Sequence, residues 1–279
     1  MAQQNQRVTA SAGWWVDLGS TGHPATFYAH LKQYGILGVF LDCATPGYPE
    51  DVSAALGAGL QVQLFQGYWD PMWASTSTAL SRAHSAIQAA QAVHYPTGCT
   101  LWLDAEGMPS GMSAQNWLDW VNAWSKLINS VGYSGGIYLA GTYAASSEQL
   151  YANLPYIHHY WQGMHMSKNV DTRGYTVTQD AVDINLFGVL VDKDTVKVDQ
   201  LHQLPTAMAL ASAPTTGTPS TSTPSTSTPS TGTSSTSLTL LASEVASLQK
   251  TVAGHTQSLQ QITDALDALV TAAKKMTLP

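Results

Sequence analysis

Three apolar segments of this chain end in carboxylic acids. Trp14-Trp15-Val16-Asp17-Leu18 carries Asp17, Gly38-Val39-Phe40-Leu41-Asp42 carries Asp42, and Leu101-Trp102-Leu103-Asp104-Ala105-Glu106 carries Asp104 and Glu106. Asp183 opens a fourth segment, Asp183–Phe187. A charge on an apolar strand is costly unless it is paired or used. Strand side chains alternate, so Trp102, Asp104 and Glu106 share one face, with Asp104 and Glu106 about 6.5 Å apart, while Leu101, Leu103 and Ala105 share the other. Several close carboxyl groups raise at least one pKa, because like charges resist joint ionisation. One protonated and one ionised carboxyl group is the pair that cleaves a glycosidic bond. The same acids could instead cap loops or bind a cation.

These groups need a scaffold that gathers strand ends. Strands are expected at Trp14–Leu18, Leu37–Asp42, Leu60–Gly67, Thr100–Glu106, Gly135–Ala140, Tyr156–Gln162, Tyr175–Gln179 and Asp183–Phe187. Helical patterns fall at Ala25–Tyr34, Asp51–Ala58, Thr78–Val93 and Ser113–Val131. The alternation implies a parallel sheet with helices outside, and eight strands suggest a compact (β/α)8 TIM-like barrel of the α/β class. The last strands leave too little chain for full helices, so the barrel should be irregular there. Functional groups then lie at the C-terminal strand ends. Asp17 and Asp183, on the first and last strands, become neighbours on closure, across the mouth from Asp104 and Glu106.

The barrel should occupy residues 1–213 of the 279. Residues 214–237 contain only Pro, Gly, Ser and Thr, with prolines at 214, 219, 224 and 229. Such a segment has nothing to bury and reads as a disordered linker. From 238 to 279 a heptad runs: Leu238, Val245, Val252, Leu259 and Leu266 on one core position, Leu241, Leu248, His255, Ile262 and Leu269 on the other. That is a coiled-coil seam, implying a homo-oligomer, dimer or trimer. A single amphipathic helix packed on the barrel is the other reading. Charged residues make up 10% of the chain, and the net charge is −7. An acidic balance argues against a nucleic-acid partner. No apolar run is long enough for a signal peptide or a bilayer span. The chain is therefore expected to be soluble, made in the cytoplasm, and not inserted in a membrane.

Leu101–Gly107 (LWLDAEG), followed by a Trp-rich helix and Gly132–Leu139 (GYSGGIYL), resembles the D-x-E and GY-x-x-GIY strands of the family 25 glycoside hydrolases, the lysozyme-type muramidases. Cys43–Tyr48 (CATPGY) is similar to their A-T-x-G segment, and Val182–Phe187 (VDINLF) to their closing D-x-N-x-F. The resemblance covers roughly Trp14 to Leu190 and is equally close to a related glycoside-hydrolase-like barrel family of phages and actinobacteria. It implies a peptidoglycan hydrolase of the phage endolysin or virion-associated type, made in a host cytoplasm and acting at the wall after release or within a virion. Carried over by motif, Glu106 is the general acid/base and Asp104 its partner, with Asp17 and Asp183 completing the site. The chain departs from the family pattern at Leu18-Gly19, where D-x-S is usual, and at Cys43 and Pro46. A barrel that binds cell-wall glycan without cutting it is the alternative.

Sugar contacts are expected from Asp42 and from flat aromatic rings: Tyr68, Trp69 and Trp73 after the third strand, then Tyr138, Tyr143 and Trp161. Trp117, Trp120 and Trp124 fall on one helical stripe and read as core. Gly132–Gly136 matches G-x-S-x-G, but a helix precedes it and a strand follows, the reverse of a nucleophile elbow. His158, His159 and His165 lack metalloprotease spacing and read as polar residues of a sugar cleft. No metal or cofactor is called for. Cys43 and Cys99 belong to opposite strand ends, about 20 Å apart, too far for a disulfide.

Overall fold

The computed structural model describes residues 4–67, 76–105, 112–140, 145–164, 166 and 169–211. The linker, the heptad segment, Tyr68, Trp69, Trp73, Glu106, Tyr143 and His165 lie outside them. The chain divides into two units, Met1–Thr215 and Thr216–Pro279, and every described residue belongs to the first.

That unit begins with β1 (Asn5–Thr9) and β2 (Gly13–Leu18), then α1 (Ala25–Gln33), β3 (Gly38–Asp42), α2 (Tyr48–Gly57) and β4 (Gln61–Gln66). Next come α3 (Thr76–Ala92), β5 (Thr100–Asp104), α4 (Ala114–Ser130), β6 (Ser134–Leu139), α5 (Ser147–Ala152) and β7 (Ile157–Gln162). It ends with β8 (Val177–Leu186), β9 (Val189–Val196) and β10 (Thr206–Leu210). Strands pair in the order β4-β3-β2-β9-β8-β7-β6-β5, and β4 pairs again with β5, which closes an eight-stranded barrel. Strand β10 pairs antiparallel with β4, and β1 with β10, an addition the sequence patterns did not suggest.

The irregularity expected near the end takes a specific form. The segments Tyr175–Gln179 and Asp183–Phe187 are not two strands of the barrel wall. They merge into β8, whose ladder shifts register between Gln179 and Ala181 and again between Ala181 and Ile184. The eighth wall strand is β9, antiparallel to both β8 and β2. The cause is the turn. Leu186 pairs with Val189, leaving Phe187 and Gly188 between them at φ 54° and 87°. Two successive positive-φ residues make the I′-type hairpin whose twist matches its flanking strands. Two residues cannot carry a crossover helix, so the chain reverses and closes the barrel antiparallel.

Two hydrophobic layers hold the barrel. Outside, helices bury their apolar stripes against the strands. In α4, Ser113 caps the N-terminus by accepting the Asn116 N–H, and Trp117, Trp120 and Trp124 are all buried. Inside, Trp15, Phe40, Phe65, Trp102 and Trp161 pack together. Two glycines make room for this aromatic filling. A Cβ on Gly38 would come within 2.5 Å of the Trp15 ring, and one on Gly136 within 2.5 Å of the Trp102 ring. Cys43 and Cys99 are buried, unpaired thiols, one following β3 and the other preceding β5. No helix among the described residues is long and apolar enough to cross a membrane.

Candidate active site

Alternation points two residues of each wall strand into the barrel. The lower tier takes Trp15, Phe40, Gln63, Trp102, Gly136, His159, Val177 and Asp194, one from each wall strand. Two residues further along each strand (two back on antiparallel β9) come Asp17, Asp42, Phe65, Asp104, Tyr138, Trp161, Gln179 and Asp192. All eight of these upper residues line a cavity of about 680 Å³ at the C-terminal ends of the parallel strands. Asp183, Val182 and Leu190 complete its rim on the β8–β9 hairpin.

Around this ring, neighbours follow directly from strand register. Asp42 pairs with Phe65, Asp104 with Tyr138, Tyr138 with Trp161, and Asp17 with Asp192. Gln179 ties two of the strands to the acids. Its Oε1 accepts from the Tyr138 hydroxyl at 3.0 Å and from the Met164 N–H at 3.2 Å, while its Nε2 donates to Asp192 Oδ2 at 3.0 Å. The other oxygen of Asp192 accepts the Asp183 N–H at 2.8 Å. Asp183 sits in the register shift with φ 53°, a strained conformation for a residue with a side chain, which turns its N–H toward Asp192.

Electrostatics here are dominated by crowding. Burial raises the Asp192 carboxyl above the usual carboxylate range; the Asp183 N–H opposes this and the Asp183 charge reinforces it. Asp194, fully buried one tier below, is held well above its ordinary value by burial and next by the charge of Asp17. Its Oδ1 accepts the Trp161 indole N–H at 2.8 Å, and its Oδ2 has no hydrogen-bond partner among the described residues. Burial thus shifts Asp192 and Asp194 toward the protonated form.

Of the residues expected from sequence, Asp17, Asp42, Asp104, Asp183, Tyr138 and Trp161 all meet in this one cavity. Asp104 is 6% exposed, facing the cavity while Leu101, Leu103 and Ala105 pack among the outer core residues. Asp42 is held by its own loop. Oδ1 accepts N–H groups of Ala44 and Gly67, each at 2.9 Å, and Oδ2 accepts the Thr45 hydroxyl at 2.7 Å. It secures the ends of β3 and β4 around the mouth. Of the three histidines, His158 and His159 do not share a cleft. His158 faces outward to Asn129 Oδ1 at 2.9 Å, and His159 points inward beside Trp102, below the cavity. Adjacent strand residues face opposite ways, so the pair could not share a cleft. No group of His, Cys, Asp and Glu among the described residues has the arrangement of a metal site.

Phe65, Gln179 and Asp192 of the ring lay outside the sequence reading, as did Asp194 below it. The last two carried a legible signal. Val189–Val196 reads V-L-V-D-K-D-T-V, a run rich in β-branched residues that follows directly on Gly188.

No curated protein matches the chain significantly. Among solved structures, the Tat-secreted protein Rv2525c of Mycobacterium tuberculosis in complex with L-tartrate superposes with a TM-score of 0.52 at 16% identity, covering 69% of this chain and 99% of that one. The same protein in complex with HEPES gives a TM-score of 0.51, with the same identity and coverage. An uncharacterized protein of B. stearothermophilus gives 0.49 at 15% identity, over 66% of this chain and 95% of the other. At 16% identity the likeness to Rv2525c establishes the barrel fold alone. Residues 42–209, most of the barrel, match the model of the Rv2525c-like, glycoside hydrolase-like domain, and the chain belongs to that family.

Proposed function

We propose that this protein is a glycoside hydrolase of bacterial cell-wall glycan, a lysin of the endolysin or virion-associated kind. The observation that carries the reading is the ring itself: Asp104, Tyr138 and Trp161 on adjoining strands, facing an Asp17–Asp192 pair, around a cavity wide enough for a sugar. In this reading Glu106, two residues beyond Asp104, protonates the leaving oxygen. Asp104 stabilises the positive charge that develops on the sugar ring, with Asp17 and Asp183 completing the acidic surround. Tyr138 and Trp161 offer the sugar an apolar face. The heptad of 238–279 joins copies, so that several barrels engage a repetitive wall together.

The engagement of Asp42 and Asp192 favours a second reading. Both oxygens of each carboxyl group accept hydrogen bonds from the protein, as suits a barrel that holds glycan without cutting it. The deciding experiment is release of reducing ends from purified peptidoglycan, wild type beside Glu106→Gln. Hydrolysis predicts release by wild type and a loss of about 10²–10⁴-fold in the variant, the range for removing a positioned acid. Wall binding without release by wild type would establish the second reading.

A further inference from the structure

The cavity has a charge character that narrows its substrate. Among the described residues that line it, five are carboxylic acids, Asp17, Asp42, Asp104, Asp183 and Asp192, and none is lysine, arginine or histidine. In a chain with only 10% charged residues this is a strong concentration of one sign. The described cations nearest in the chain are turned elsewhere. Lys193 lies between Asp192 and Asp194, but strand alternation takes it outside, where its ammonium sits 5.0 Å over the Trp14 ring. Arg173 is engaged by Asp199, Gln203 and the His158 carbonyl.

Two further features point to a ligand. Aromatic rings border the acids: Trp161 is packed edge-on against Tyr138 at 4.9 Å and against Phe65 at 6.2 Å, and all three line the cavity. Rings beside carboxylates form the environment in which organic ammonium groups are recognised. Beneath them lies Asp194, fully buried on the inward face of β9, whose Oδ1 accepts from Trp161 and whose Oδ2 has no partner among the described residues.

We propose that the cavity selects a hexosamine with a free ammonium group, a de-N-acetylated unit of the glycan. The inference rests on the glycan reading above and names the substrate class of the same site. An acetamido group is neutral and gains nothing from the field of the acids. An ammonium group donates to the carboxylates and relieves their mutual repulsion, whereas an acidic sugar is repelled.

The test is calorimetric titration of the full-length protein with a glucosamine tetramer, an N-acetylglucosamine tetramer and spermine, each at low and high ionic strength. The expected result is affinity for the glucosamine tetramer about tenfold or more above the acetylated one at low salt, with the ratio shrinking as salt screens the field. Spermine should bind more weakly than the glucosamine tetramer. Asp183→Asn should lower the ratio, with its thermal midpoint checked alongside. Binding of the acetylated tetramer with no preference for the amine overturns the inference and leaves the glycan reading intact. Spermine binding as tightly as the glucosamine tetramer overturns it too, since charge alone would then suffice. If neither sugar binds, both readings fall. Amine-selective binding without reducing-end release sustains the inference and removes the hydrolase.

Discussion

Asp194→Asn should stabilise the barrel at neutral pH and flatten its pH dependence. Asp194 is fully buried, accepts the Trp161 indole N–H on one oxygen and has no partner for the other among the described residues. Burial, reinforced by Asp17, raises its folded pKa far above the unfolded value. The folded state therefore keeps a proton that the unfolded chain gives up above about pH 4. A raised pKa contributes stability that is fully present below the unfolded value and lost as pH rises toward the folded one. Within that window the loss is about 1.4 kcal/mol per pH unit, one proton's worth. Asparagine reproduces the neutral acid, with an oxygen for Trp161 and an N–H in place of the hydroxyl, and does not titrate. The variant should therefore gain on wild type as pH rises above about 5, by about 1.4 kcal/mol for each pH unit over which folded Asp194 keeps its proton. Urea denaturation followed by fluorescence at several pH values measures that difference, and subtracting the two profiles removes every titration they share. Parallel profiles would mean that Asp194 ionises in the folded barrel as it does in the unfolded chain, and the account of the site's electrostatics would be wrong.

The remaining predictions follow from the same interior. His159, buried beside Trp102, has its pKa lowered to about 3 by burial first and Arg173 next. Its contribution to stability is present above the unfolded value near pH 6.5 and lost as pH falls, so its ring should stay neutral by NMR down to about pH 4. Gly38→Ala drives a Cβ into the Trp15 ring and should lower stability by about 1–3 kcal/mol, whereas Gly57→Ala, on α2 with open space around it, should raise it by about 0.5–1 kcal/mol. Thermal midpoints of the two variants should move in opposite directions. Burial raises the Cys43 thiol well above its usual value and pushes Cys99 up to about 12. Both should resist a thiol reagent in the native protein and titrate as two thiols on denaturation.

What the sequence revealed and what it hid divide along one physical line. Asp17, Asp42 and Asp104 were readable because strand alternation is local: each stands two residues from an aromatic inward residue, Trp15, Phe40 or Trp102, on its own strand. The four long helices announced themselves in the same local way, through apolar stripes such as Trp117, Trp120 and Trp124. Asp192 is different. It matters because it stands opposite Asp17, and that pairing exists only because β9 runs back between β8 and β2. The reversal depends on Phe187 and Gly188 both taking positive φ, and phenylalanine does not advertise that conformation. Reading VDINLF as the final strand therefore assigned Asp183 the place opposite Asp17 that Asp192 occupies. Asp183 reaches the cavity by another route, through the shifted ladder of β8, where its backbone fixes Asp192. The hairpin thus supplies two carboxyl groups, one inward on β9 and one exposed at the rim, from opposite sides of a single turn. A family in which this hairpin lengthened or shifted by one residue would keep the barrel and exchange the acids facing Asp17 for outward residues such as Lys193, since a one-residue slip turns every side chain to the other face.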